Sequence, residues 1–166
     1  MSTDAIVLLK ADHKEIKAAF KRFQEAGEGA TATKGKLVDK IIELLTVHTY
    51  IENEVMYPEV RGLVPELTED ILESYEEHHV ADLLAMELAA LAPEAERFDA
   101  KTTVLIENVT HHIEEEETEW FPQVREKLGR RQLSEIGERL LAAKEKAPHS
   151  LAAPSALKKT VDAVLR

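Results

Sequence analysis

The sequence predicts an all-α protein: an antiparallel four-helix bundle of up-down-up-down topology, with a short fifth helix and a C-terminal tail. Three observations predict it. Ala, Leu, Glu and Lys dominate a chain of 166 residues that has only six Gly and six Pro, a composition that favours helix over strand. Apolar residues recur at three- and four-residue spacing through four long segments. The joins between those segments are short, and short joins make neighbouring helices run in opposite directions.

The segments can be taken in order. Asp4 caps the first, in which Ile6, Leu9, His13, Ile16, Phe20 and Phe23 share a face, and Gly27 and Gly29 end it. The second begins near Lys34, carries Leu37, Ile41, Leu44, Leu45, His48 and Ile51 as a stripe, and runs to about Pro58. Gly62 and Pro65 break the chain. Thr68 reads as the cap of the third, with Glu69 and Asp70 in the first turn, where the helix dipole favours negative charge. Pro93 stops that helix near Ala92. Asp99 reads as the cap of the fourth, which passes Val104, Leu105, Val109 and His112 to reach Leu128 and Gly129. The fifth, roughly Leu133 to Lys146, has Leu133, Ile136, Leu140 and Leu141 to bury. Residues 1–146 thus form the bundle and fifth helix, and 147–166 a linker and short amphipathic tail expected to dock loosely.

Composition removes several functions. A net charge of −11 opposes binding to a nucleic-acid backbone. Cysteine is absent, which rules out disulfides, iron–sulfur clusters and a thiolate nucleophile, so any metal must be held by oxygen and nitrogen. No basic-then-apolar leader and no apolar run of about 20 residues is evident, so no membrane partner is expected and cytoplasm is the expected compartment.

The chemistry lies in an internal repeat. His48 and Glu52 are followed by Tyr57-Pro58, and His112 and Glu116 by Phe121-Pro122, so both copies read H-x-x-x-E-x-x-x-x-aromatic-P. His13 precedes His48 by nearly the same interval as His78 precedes His112. Residues four apart stack on one helix face, so each His-x-x-x-Glu pair reaches one point in the interior. Two such pairs plus one His from each remaining helix give four imidazoles and two carboxylates. That exceeds the needs of a tetrahedral zinc and suits two bridged, octahedral-leaning ions, iron or alternatively manganese.

On these residues the chain resembles the hemerythrin-like family, the HHE cation-binding domains, whose pattern is H…HxxxE…H…HxxxE on four helices. The resemblance covers roughly Ile6 to Leu128. It implies the ligands His13, His48, Glu52, His78, His112 and Glu116, with two iron ions joined by an oxo or hydroxo bridge and by the two glutamates. Oxygen-carrying hemerythrins have a second histidine where this chain has Glu116. That departure argues against simple reversible oxygen carriage, and the HxxxE version resembles members linked to nitric oxide, oxygen, peroxide or iron handling.

Two assignments have competitors. The ten-residue step from histidine to proline selects His112 over His111. The repeat interval favours His78 over His79, although His79 has Leu72, Tyr75, Leu83 and Met86 at helical spacing. Glu114 to Glu117 read as a solvated run from which only Glu116 turns inward. Glu77 reads as a surface carboxylate, or alternatively as lining an access path, Met56, Tyr57, Tyr75, Trp120 and Phe121 as core, and His149 as no ligand. The functional expectation is a non-haem di-iron protein that binds or reacts with O2, NO or H2O2 in redox or nitrosative stress, drawing on an electron donor. As an enzyme it would be an oxidoreductase acting on peroxide or nitric oxide. The alternative is a non-enzymatic oxygen or iron sensor, or a carrier, that signals through a partner.

Overall fold

A computed structural model describes residues 2–149, and all regular structure among the described residues is helical. Helix α1 (Ala5–Glu25) packs on α2 (Thr31–Ile51), and α4 (Thr68–Ala89) packs on α5 (Phe98–Glu115). Contacts of α2 with α4 and of α1 with α5 close the four-helix ring. Neither α2 nor α5 ends in a loop. Each passes through one π turn, Glu52–Met56 and Glu116–Trp120, into the short helices α3 (Tyr57–Leu63) and α6 (Phe121–Lys127). A fifth long helix, α7 (Arg130–Lys146), lies against α1, α2 and the first π turn.

Several boundaries follow the expected chemistry and others depart from it. Asp4 does cap α1, its Oδ1 accepting the Val7 N–H at 3.1 Å. Thr68 does not cap α4: it is the first helical residue, and its hydroxyl donates to the Pro65 carbonyl at 2.6 Å. Asp99 lies in the first turn of α5 and is drawn into an ion pair with Lys34 at 2.6 Å. Helix α2 starts at Thr31 rather than near Lys34, α4 ends at Ala89 rather than Ala92, and α7 starts at Arg130 rather than Leu133. On α7, Leu133, Ile136 and Leu140 are buried, while Leu141 faces outward. The proposed tail lies outside the described residues from 150 onward.

The π turns have a common cause. Proline supplies no N–H to the helical ladder, and its ring collides with the carbonyl four residues back. Before Pro58 and Pro122 the helix widens, and the N–H groups of Tyr57 and Phe121 bond to the carbonyls of Glu52 and Glu116, five residues away. In an unbroken α-helix, positions five apart diverge by about 140°. The wider turn brings them back to one face, so the aromatic residue sits beside the glutamate.

The core is divided in two. One apolar cluster includes Leu9, Ile51, Tyr75 and Trp120; the other includes Ile16, Leu45, Ala81 and Val109. His13 lies between Leu9 and Ile16 in α1, His48 between Leu45 and Ile51 in α2, and His78 between Tyr75 and Ala81 in α4. A polar layer therefore crosses mid-bundle, sealed above and below by hydrocarbon.

The chain ahead of α1 crosses α7 at Gly137, and the Thr3 hydroxyl reaches Ser134 Oγ at 2.6 Å. A Cβ at position 137 would stand 1.5 Å from the Thr3 carbonyl oxygen, a backbone atom that has no room to rotate away. Gly137→Ala is expected to cost about 1–3 kcal/mol, lowering Tm by roughly 2–4 °C per kcal/mol. An unchanged melting curve would show that the N-terminal segment does not lie across α7.

Candidate metal centre

The structure brings all six sequence-derived residues into one buried layer: His13, His48, Glu52, His78, His112 and Glu116 are each no more than 5% exposed. They form two facing sets. His13 Nε2 and His48 Nε2 lie 3.1 Å apart, and His78 Nε2 and His112 Nε2 lie 3.0 Å apart. The glutamates span them. Glu52 presents Oε1 to His48 at 3.1 Å and Oε2 to His78 at 3.2 Å. Glu116 presents Oε2 to His13 at 3.2 Å and Oε1 to His112 at 3.5 Å.

The far side of every imidazole is held by a residue that sequence reasoning missed. His13 Nδ1 meets Glu117 Oε1 at 2.9 Å, and His48 Nδ1 meets Asp12 Oδ2 at 3.3 Å. His78 Nδ1 meets Asn53 Oδ1 at 2.8 Å, and His112 Nδ1 meets Glu77 Oε2. These partners obey the same repeat as the imidazoles. Asp12 and Glu77 directly precede His13 on α1 and His78 on α4, and each bonds the inward histidine on the next long helix of its own hairpin. Asn53 and Glu117 directly follow the paired glutamates, and each bonds across to the other hairpin. The signal was present in the sequence, as a polar residue at the same offset in both copies.

This outer set fixes the tautomers. With Nδ1–H donated outward to an acceptor, each Nε2 turns a lone pair inward. The lone pairs then face one another and face carboxylate oxygens, of which Glu52 Oε1 and Glu116 Oε2 are buried with no hydrogen-bond partner. Acceptors that outnumber donors in a dry layer call for cations, and the ligand set of imidazole and carboxylate suits iron or manganese. Without metal, protons must serve. Burial alone would lower the His48 imidazolium, but Glu52 and then Asp12 outweigh it and push it up to about 10. His112 is likewise raised well above its ordinary value, with Glu116 overcoming the effect of burial.

Tyr57 adds a hydroxyl to one side. The π turn delivers its phenol to the centre, where it donates to Glu116 Oε1 at 2.7 Å. Glu52 Oε2, His78 Nε2 and His112 Nε2 stand 3.2, 3.3 and 3.4 Å from the same oxygen. Burial, then the Glu116 and Glu52 charges, hold the phenol well above its usual range, so it remains a donor. The matching position in the second repeat is Phe121, whose ring stacks on His13 with centroids 5.7 Å apart. The two halves are thus alike in their imidazoles and unlike in their aromatic neighbour.

His78, not His79, enters the layer; His79 is part-exposed on α4. Three of its four apolar neighbours are an outward stripe, with Leu72 44%, Leu83 46% and Met86 38% exposed, while Tyr75 turns into the core. His111 also faces out and pairs with Glu115 at 2.9 Å. His149 lies away from the layer, 3.4 Å from Glu43.

The hemerythrin HHE cation-binding domain model matches residues 4–124. The chain belongs to that family. This HHE domain is therefore a metal-binding, hemerythrin-like protein, and its candidate His/Glu clusters lie within the matched span. A hemerythrin HHE cation-binding domain-containing protein from Mycobacterium kansasii has the same fold, with a TM-score of 0.72 at 20% identity, covering 96% of this chain and 98% of that one. A protein named DNA nickase from Nostoc sp. is 27% identical over 139 residues, which are 84% of this chain and 38% of that protein. The HHE domain thus spans less than half of that relative's length. No described helix is long and apolar enough to cross a membrane.

Proposed function

We propose that the chain holds two iron ions, one between His13 and His48 and one between His78 and His112, bridged by Glu52, Glu116 and an oxo or hydroxo group. Its function on this reading is to bind or react with O2, NO or H2O2 during redox or nitrosative stress. The observation that carries the reading is that each glutamate offers one oxygen to each histidine pair. Manganese can occupy the same donors. A bound di-iron centre would exchange electrons with the small ligand, resupplied by a donor protein or cofactor.

The chain's own residues suit that task. The outer carboxylates and Asn53 orient the imidazoles, the two apolar clusters keep bulk water out, and the Tyr57 hydroxyl holds a proton within reach of both glutamates. A void of about 10 Å3 borders His48, His78 and His112. Space on that scale admits a ligand the size of water.

The deciding experiment is metal content with the optical spectrum of protein purified in air, beside a Glu116→Ala variant. About two irons per chain with near-ultraviolet oxo-to-iron absorption, both lost in the variant, is the expected result. Zinc alone, or no metal after anaerobic ferrous reconstitution, would overturn it. Turnover of peroxide or nitric oxide above that of free iron separates an enzyme from a sensor. One contact favours the sensor as a second reading: α7 packs directly on the Glu52–Met56 turn, giving ligand occupancy a route to a partner bound at the C-terminal side.

A further inference from the structure

Beyond the six inward residues, the described chain offers another group with metal-ligating chemistry. Glu77, His111 and Glu115 each place one donor atom within 4.8 Å of the others. Glu77 and Glu115 line a cavity of about 80 Å3 whose walls come from α4 on one side and from α5, the second π turn and α6 on the other. Asp70, Glu73, Glu77, Glu115 and Glu119 line it, with no lysine or arginine among its lining residues. Its inner wall is His112 and Glu116.

We propose that this cleft is the inlet by which divalent cations reach the centre, and that Glu77, His111 and Glu115 are a transit site at its mouth. The inference rests on the di-metal reading and concerns how that site is filled. Five carboxylates in one cleft raise the local concentration of cations and repel anions. The cleft has a destination, because its inner wall is His112 and Glu116, 5% and 2% exposed, whose Nε2 and Oε1 face each other at 3.5 Å in the buried layer. Glu77 joins the two ends: one oxygen holds His112 Nδ1 inside, and the same side chain groups with His111 and Glu115 outside. His111 and Glu115 stack at i and i+4 on α5, and Glu77 faces them from α4. Three such donors hold a divalent ion while leaving positions for water, which suits exchange rather than storage.

Two other openings among the described residues are poorer entrances. A cavity of about 190 Å3 lies near Asp12, Glu15 and Glu43, but Lys144 lines it and is paired to Asp12 at 2.6 Å. An ammonium there repels an incoming cation at the gate. The void beside His48 and His78 is about 10 Å3 and has almost no polar wall.

The test is the rate of anaerobic ferrous uptake by the metal-free full-length chain, sampled by quenching with a coloured chelator. Wild type is compared with Glu73→Gln/Glu119→Gln, with His111→Ala/Glu115→Gln, and with Glu15→Gln/Glu43→Gln on the opposite face. The two cleft variants are expected to load about tenfold more slowly, with a weaker dependence on ionic strength, yet to reach the same final two irons. The opposite-face variant is expected to load at the wild-type rate. Equal rates for cleft variants and wild type, or equal slowing by the opposite-face variant, would overturn the inlet while leaving the di-iron reading intact. A wild-type chain that takes up no iron would overturn both.

Discussion

On the di-iron reading, Glu52→Ala is expected to release both metal ions, not one. Its carboxylate, at the start of the first π turn, reaches His48 and His78 together, at 3.1 and 3.2 Å. Removing it takes one oxygen donor from each half and the link between them. After ferrous reconstitution and dialysis, iron per chain should fall from two to well below one. Glu117→Gln tests the contrast. That side chain only orients His13 from behind, and loss of such a partner lowers metal affinity by about 10–100-fold. At saturating iron the Glu117 variant should therefore still bind two ions. Metal analysis of both variants checks this pair, and a Glu52→Ala protein that retains two ions would remove the bridging role.

Stripping the metal should alter the pH dependence of stability as well as its size. In the metal-free chain His48 is raised from an ordinary 6.5 to about 10, because Glu52 and Asp12 outweigh burial. Glu52 is held well below its ordinary 4.5: burial would raise it, and His48 overcomes that. A raised base stabilises the fold fully below its unfolded value and loses that contribution as pH climbs through the folded value. A lowered acid contributes above its unfolded value and loses it as pH falls through the folded one. The metal-free protein should thus be most stable between about 4.5 and 6.5 and weaken progressively toward pH 10.

Metal reverses that trend, since ions and protons compete for the same Nε2 atoms. Metal at a thousandfold excess over its Kd contributes about 4 kcal/mol, equivalent to roughly 10 °C in Tm for a chain of this length. The gap between ferrous-loaded and chelated protein should therefore be wide at pH 8 and narrow at pH 5.5. Thermal melts at the two pH values measure it, and a gap that is the same at both would mean that metal does not displace these protons.

The helices and the six inward residues were legible because they follow simple periods. Apolar spacing fixes the faces, and the repeated H-x-x-x-E sets one register on α2 and α5. What stayed hidden depends on geometry that no period records. Tyr57 reads as core because five residues from Glu52 is the wrong face of an α-helix; only the π turn ahead of Pro58 makes it the right one. Glu117 reads as solvated because it follows an inward residue, yet a long side chain at the edge of the layer can bend back to His13. Asp12, Asn53 and Glu77 were visible as a repeated offset, but their role appears only when two hairpins are set against each other. Three apolar neighbours of His79 point the wrong way because Leu72, Leu83 and Met86 form an outward stripe, and hydrophobicity alone does not say which side of a helix is covered.

The π turns also bear on which changes the chain can inherit. Each holds one residue more than an α turn would, so replacing the proline that follows, with no change of length, would let the helix close into an unbroken ladder. The backbone would improve locally while α3 swung about 100° around the axis, carrying the Tyr57 hydroxyl away from both glutamates. A substitution that is conformationally welcome would therefore be chemically ruinous. Lineages that keep the centre must conserve Pro58 and Pro122 more strictly than the identity of residues such as Glu54 or Thr118 within the turns.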